Sequence, residues 1–149
     1  MQDNPEIIFS PEDRIVDRIM NECLSAGKTI DIVVFLIGSK SLSNALIKIH
    51  KKGVAIRIII DSTVARTRYS TDELLMKNGI EVKTIKVKGG SMHSKFVLID
   101  GVILIAGSAN LTNDANYRNH EQAFISEDPD LIQPFISKFE ELWEIGKPA

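Results

Sequence analysis

The chain is short of several things that would fix its class at once. It has one cysteine, Cys23, in 149 residues. That excludes an internal disulfide framework and a cysteine-rich zinc site. Cys23 sits in a helical pattern and reads as a small buried apolar residue. No apolar run reaches the roughly 18 to 20 residues of a membrane-spanning helix. The opening MQDNPEI is polar and acidic, so it does not read as a signal peptide. A cleaved leader would leave no trace here, and the compartment stays open: cytoplasmic by default, periplasmic or secreted if a leader was removed. There is no internal repeat, no low-complexity segment and no interdomain linker. Residues 1–149 therefore read as a single domain, long enough to bury a real core.

A strong excess of either charge is also missing. The net charge is −2, which taken alone argues against a nucleic-acid binder. The distribution is uneven, however. Lys40 to Lys95 holds 12 Lys/Arg against 4 Asp/Glu, and the remainder holds 6 against 16. Such asymmetry points to a polyanion-facing side, set against the plainer reading of solvated helix charges.

What is present is a regular alternation of elements. Ser10-Pro11-Glu12-Asp13 carries the N-cap, first-turn proline and carboxylates of a helix start. Val16, Ile19, Met20 and Cys23 follow at helical spacing, and Gly27 marks the end. TIDIVVFLI (29–37) reads as a strand covered on both faces. Ser41 to Lys52 is a second helix, with Leu42, Ala45, Leu46 and Ile49 inward. VAIRIII (54–60) is another buried strand. A polar loop, DSTVARTRYS, leads to a short helix from about Thr71 to Lys77. IEVKTIKV (80–87) alternates like a strand nearer an edge. Residues 111–118 are polar with at most one helical turn, and His120 to Ile125 is a short strand. Asp128-Pro129 opens a last helix with Leu131, Ile132, Phe135, Ile136, Phe139, Leu142 and Trp143 inward, a core stripe rather than a cofactor box. The expected fold is α/β: a mixed, mostly parallel β-sheet sandwiched between helices.

Residues 91–110, SMHSKFVLIDGVILIAGSAN, organise the rest. FVLID and VILIA flank Asp100-Gly101, a strong hairpin signal, because a tight type I′ turn needs positive φ at both central positions. His93 and Lys95 are two apart and so project to one side of an extended chain. The hairpin returns Ser108 and Asn110 towards them. An imidazole, an ammonium, a hydroxyl and a carboxamide then share a small space. That set suits a phosphate: a nucleophile or acid, a fixed cation and two neutral donors.

The string His93-x-Lys95-x4-Asp100-x6-Gly107-Ser108-x-Asn110 resembles the signature of the phospholipase D superfamily, complete in residue types and spacing. Within it, the chain is most similar to the short single-motif nucleases, among them bacterial endonucleases of the Nuc type and the mitochondrial phospholipase-D-like endonuclease. The resemblance implies a metal-independent phosphodiesterase acting through a phosphohistidine. It implies that Lys95, Ser108 and Asn110 hold the non-bridging phosphate oxygens, and that Glu121 hydrogen-bonds a catalytic imidazole. Asp100 and Gly107 belong to the structural part of the motif. No cofactor and no metal are implied. Family chemistry uses two histidines, whereas this chain has one motif. A homodimer is therefore expected, with His93 of each copy facing the other at the two-fold axis.

His50 reads as exposed, and His120 as surface or supporting rather than catalytic. Arg66, Arg68 and Lys88, with Lys86, are candidates to line a groove for substrate phosphates. Tyr69 is a candidate to stack on a base, against the plainer reading of packing. The expected partner is nucleic acid, DNA or RNA, with no integral membrane segment. The alternatives are a phospholipase D-type lipid hydrolase acting on cardiolipin or a similar lipid, and a non-catalytic nucleic-acid-binding protein on the same fold.

Overall fold

Apolar side chains in the central strands alternate between two covered faces, and this sets the layers. A computed structural model describes residues 4–149; the first three residues of the polar opening lie outside the described part. In chain order the elements are β1 (Glu6–Ser10), α1 (Ile15–Leu24), β2 (Thr29–Val33), α2 (Lys40–Lys51), β3 (Ala55–Asp61), α3 (Asp72–Lys77) and β4 (Glu81–Ile85). They continue with β5 (Phe96–Ile99), β6 (Ile103–Gly107), α4 (Asn113–Tyr117), β7 (Glu121–Ser126), α5 (Pro129–Ile145) and β8 (Lys147–Pro148). The strands form one sheet in the order β1-β7-β6-β5-β2-β3-β4-β8.

Ile30 and Ile32 of β2, Ile58 and Ile60 of β3, and Val97 and Ile99 of β5 point to one face. There they meet Ile15, Ile19 and Cys23 of α1 and Leu42, Leu46 and Ile49 of α2. Val33, Ile59, Phe96, Leu98 and Leu104 point to the other face, against Ile132 and Phe139 of α5. Period two in the strands and period 3.6 in the helices thus close two cores on a single sheet. A polar clamp adds to the second. Arg57 leaves β3 to bond Asp31 at 2.9 Å and Glu140 at 2.6 Å, with its guanidinium 4.6 Å from the centre of the Phe139 ring. Burial raises the Asp31 carboxyl above its ordinary value, against the opposing pull of Arg57.

The expectation of a mostly parallel sheet is overturned. Only β2–β3 and β3–β4 run parallel; β1–β7, β7–β6, β6–β5, β5–β2 and β4–β8 are antiparallel. The helix–strand alternation of the first half does give parallel neighbours, β2 beside β3 and β3 beside β4. The hairpin then inserts beside β2 and carries the second half of the sheet antiparallel. An apolar strand looks the same read in either direction, so the pattern showed burial but not direction. The sheet is flanked by helices, as expected.

Three smaller corrections follow from packing. Ser10 ends strand β1 rather than capping a helix, and α1 begins at Ile15, after Arg14 at φ 49°. The Ser10 hydroxyl still accepts the Ile15 amide at 2.9 Å, so it satisfies a free helix donor from further back in the chain. Strands β1 and β8 were not expected; β1 alternates, with Ile8 and Ser10 inward. Leu131 of α5 is on the outside, while Ile132 takes the buried place. Among the described residues no helix is long and apolar enough to cross a membrane.

Candidate active site

The hairpin is built as its sequence dictates and is fastened at both ends. Asp100 and Gly101 have φ of 54° and 68°, and the Val102 amide donates to the Ile99 carbonyl at 3.0 Å. The Asp100 carboxylate accepts the backbone amides of Gly27, Lys28 and Thr29 at 2.9, 2.8 and 2.9 Å. Burial pushes this carboxyl up, but the three N–H donors outweigh it and hold it below the ordinary carboxylate value. So Asp100 ties the closed end of the hairpin to the start of β2, far away in sequence, rather than pairing locally.

At the open end, His93 and Lys95 lie in the extended segment just before β5, not within the strand. Their spacing still brings them together. Lys95 Nζ is 2.9 Å from His93 Nδ1 and donates to the His93 carbonyl at 3.1 Å. An ammonium can only donate. In this contact Nδ1 is the acceptor, and the neutral ring carries its proton on Nε2. His93 is exposed, with the Phe35 ring 5.3 Å away on its inner side. Burial pulls the Lys95 ammonium below the usual lysine value, opposed by the nearby Glu121 carboxylate.

Asp61, at the C-terminal end of β3, fixes the approach to His93. It is 1 % exposed, and its carboxylate accepts the Met92 amide at 2.8 Å, the Thr63 amide at 3.0 Å and the Thr63 hydroxyl. Burial raises this carboxyl, yet the Thr63 and Met92 donors bring it below its ordinary value.

The other wall of the site depends on close contact between β6 and β7. A Cβ on Gly107 would lie 2.0 Å from the Gln122 carbonyl oxygen and 2.7 Å from Ala123 Cα, so only glycine fits. The next residue is Ser108. Its amide donates to the Gln122 carbonyl at 3.0 Å and its hydroxyl accepts the Gln122 amide at 3.1 Å. The hydroxyl donates in turn to Glu121 Oε1 at 2.6 Å. The other Glu121 oxygen accepts from Asn119 at 3.2 Å. Within one chain, the Glu121 hydrogen bonds thus go to Ser108 and Asn119. Asn110 Oδ1 accepts the Leu36 amide at 3.3 Å, which leaves the NH2 end of the carboxamide as a donor. Asn110 borders an open cleft of about 350 Å³ with Leu36, Gly38, Tyr69, Thr112, Asn113, Asp114 and Asn119.

The outlying candidates separate. Arg68 lies against Tyr69, which borders the Asn110 cleft. Arg66 lines a different groove, with Glu73, Met76 and Lys77. Lys88 is exposed in the turn before the hairpin, and Lys86 borders a third groove with Thr84, Ile85, Ile145 and Lys147. His50 is half-buried, its Nδ1 2.9 Å from the Val54 carbonyl, and His120 is exposed. Among the described residues no three His, Cys, Asp or Glu side chains gather as a cation site. Sequence reasoning passed over Asp61 and Asn119. A carboxylate ending a buried parallel strand was the available signal for Asp61, since such ends face the ligand crevice of open sheets.

This sheet, with the His93–Lys95 pair and the Ser108 and Asn110 donors at one end of its hairpin, is a phospholipase D-type phosphodiesterase fold. Residues 19–143 match the family described as cardiolipin synthase, PLD-like domain, and the chain belongs to that family. Mitochondrial cardiolipin hydrolase of Danio rerio is 36 % identical over 132 residues, covering 89 % of this chain and 58 % of the relative. The protein of the same name from Chlamydomonas reinhardtii is 37 % identical, covering 89 % and 59 %. The chain thus spans a little under three fifths of these curated relatives. Among solved structures, the phospholipase D family member Nuc from Salmonella typhimurium is similar at TM-score 0.88 and 25 % identity, covering 98 % of this chain and 97 % of that one. NucT from Helicobacter pylori shares the fold at TM-score 0.87 and 21 % identity, covering 98 % and 99 %.

Proposed function

We propose that this chain is a metal-independent phosphodiesterase that cleaves DNA or RNA, with two copies of the chain forming one working site. The observation that carries this reading is the contact between exposed His93 and Lys95, on a sheet that also presents the Asn110 NH2 as a donor. Substrate phosphate draws Lys95 onto its non-bridging oxygens and releases Nδ1. His93 can then exchange tautomer and present a free ring nitrogen to phosphorus.

The steps balance with two imidazoles. Nitrogen of one neutral His93 forms a bond to phosphorus, the bond to the leaving oxygen breaks, and His93 of the partner subunit, starting as the imidazolium, gives that oxygen a proton and becomes neutral. Water then attacks phosphorus and passes its proton to the same partner imidazole. The P–N bond breaks, and the first His93 is restored. Lys95 and Asn110 offset the charge that grows on the non-bridging oxygens, the role a metal fills elsewhere, and Ser108 joins them once its one proton turns from Glu121 to the phosphate. Glu121 keeps Ser108 oriented, and it is the acidic residue available to the partner's imidazole. A single chain supplies one imidazole of this motif, so the dimer is part of the mechanism.

Nucleic acid is favoured by the cleft beside Asn110, whose walls are mostly amides, hydroxyls and an exposed tyrosine rather than an apolar trough for acyl chains. The second reading, a lipid hydrolase, has its own support in the names of the cardiolipin hydrolases at 36–37 % identity. The deciding assay offers DNA, RNA and cardiolipin vesicles side by side in EDTA. Cleavage of nucleic acid, abolished by His93→Ala and accompanied by a trapped phosphohistidine in the unaltered protein, is expected. Phosphatidate release without nucleic-acid cleavage moves the assignment to lipid. Intact cleavage by His93→Ala, or full activity in a species of monomer mass, overturns the mechanism.

A further inference from the structure

We infer that Tyr69, backed by Arg68, is a stacking platform for the nucleobase next to the phosphate being cut. This rests on the nuclease reading above and names the part of the substrate that the cleft beside Asn110 receives. Tyr69 is 62 % exposed, which removes the packing explanation for it. The Arg68 guanidinium lies 4.9 Å from the ring centre and donates to the Tyr69 hydroxyl at 2.7 Å. The ring is thereby held at its hydroxyl end by a cation, while most of its surface is exposed to a flat partner.

The platform is rigidly placed relative to the phosphate donors. The Thr71 amide donates to the Ile37 carbonyl at 2.9 Å, and Gly38 and Ser39 both donate to the Leu111 carbonyl, at 2.9 and 3.0 Å. Leu111 donates back to Leu36 at 3.1 Å, and Leu36 holds the Asn110 side chain. At Gly38 a Cβ would sit 2.3 Å from the Tyr69 carbonyl oxygen, so the tyrosine backbone rests directly on this loop. Three segments remote in sequence are thus stitched together with Tyr69 and Asn110 bordering one cleft.

The chemistry of the cleft selects the ligand. Beyond the tyrosine ring, only Leu36 is a sizeable apolar wall; Thr112, Asn113 and Asn119 bring hydroxyl and amide groups suited to the polar edge of a base. Asp114 is the one carboxylate there, and Arg118 neutralises it at 2.7 Å. A phosphate-flanking group with a π face and a hydrogen-bonding edge is a nucleobase. A base lying on Tyr69 has left its partner strand, so the site works on unpaired nucleotides.

The test is a double-mutant cycle between Tyr69 and the base, using the full chain and single-stranded oligonucleotides with one abasic residue placed beside the cut. On the intact oligonucleotide, Tyr69→Ala should lower kcat/KM by roughly 5- to 150-fold, the range of one aromatic–base stack. Tyr69→Trp should keep most of the activity. Removing the base should cost the unaltered protein a similar factor, and the two losses should not multiply. Losses that multiply, or a Tyr69→Ala protein as fast as its parent, overturn the platform while leaving the nuclease reading in place. Cleavage of lipid and of no nucleic acid by the unaltered protein overturns both. Parallel binding of the same oligonucleotides to His93→Ala protein, read by fluorescence anisotropy, should show the same coupling without turnover.

Discussion

The two halves of the sheet divide the work differently. The antiparallel half, β5 to β7, carries the reactive groups: His93, Lys95, Ser108, Asn110 and Glu121 all fall within a short stretch of chain. The parallel half, β2 to β4, carries no reactive group of the motif and supplies the supports. Asp61 holds the Met92 amide, Leu36 holds Asn110, and the start of β2 receives Asp100. Chemistry is gathered by a local device, the hairpin, and oriented by remote carboxylates and amides. The difference teaches that a compact motif is not a self-sufficient site: its geometry is lent by segments 31 to 74 residues away, through backbone donors that have no sequence signature.

Three changes probe this division, two within the hairpin half and one at its support. The largest stability loss is expected at Gly107→Ala. The new methyl group meets the Gln122 carbonyl, so β6 must part from β7 and the Ser108–Glu121 contact must go with it. A loss of about 3 kcal/mol, read by urea denaturation, with activity falling more than stability explains, is the expected outcome. A neutral result would mean that the two strands are free to separate at this point.

Asp61→Ala comes next. It leaves the Met92 amide and both Thr63 donors without their buried acceptor, which costs about 2 kcal/mol. It also loosens the segment that carries His93. Since misplacement by about 1 Å can cost on the order of 10²-fold in rate, kcat should fall with the fold retained. If circular dichroism is native and kcat is unchanged, the parallel half is not orienting the histidine.

The smallest effect is expected at Asp100→Asn, on the order of 1 kcal/mol at neutral pH, because one carboxamide oxygen replaces two carboxylate oxygens serving three amides. The pH dependence sharpens it. The Asp100 carboxyl titrates lower folded than unfolded, so its stabilisation is fully present above the unfolded value of about 3.9 and is lost as pH falls through the lower folded value. Acid unfolding of the parent protein should therefore be steeper below about pH 4 than that of the variant, as measured by thermal melts across that range. Parallel pH curves would remove Asp100 as the anchor of the hairpin.

By itself, the sequence determined the local part of this protein. The Asp100-Gly101 turn, the pairing of FVLI with ILIA, the adjacency of His93 and Lys95, and the buried faces of α2 and α5 all follow from spacing of a few residues. There, backbone geometry and periodicity act alone. The long-range part was decided only in three dimensions. That covers the direction of β5 beside β2, the edge strand β1, the anchoring of Asp100 at Gly27 to Thr29, the buried carboxylate of Asp61, and the meeting of Tyr69 with Asn110. Each of these is a contact between segments whose own patterns are indifferent to their partner. Strand burial reads the same in either direction, and a backbone amide offers the same donor at almost every residue. Only the closing of two cores on one sheet selects which amide meets which carboxylate.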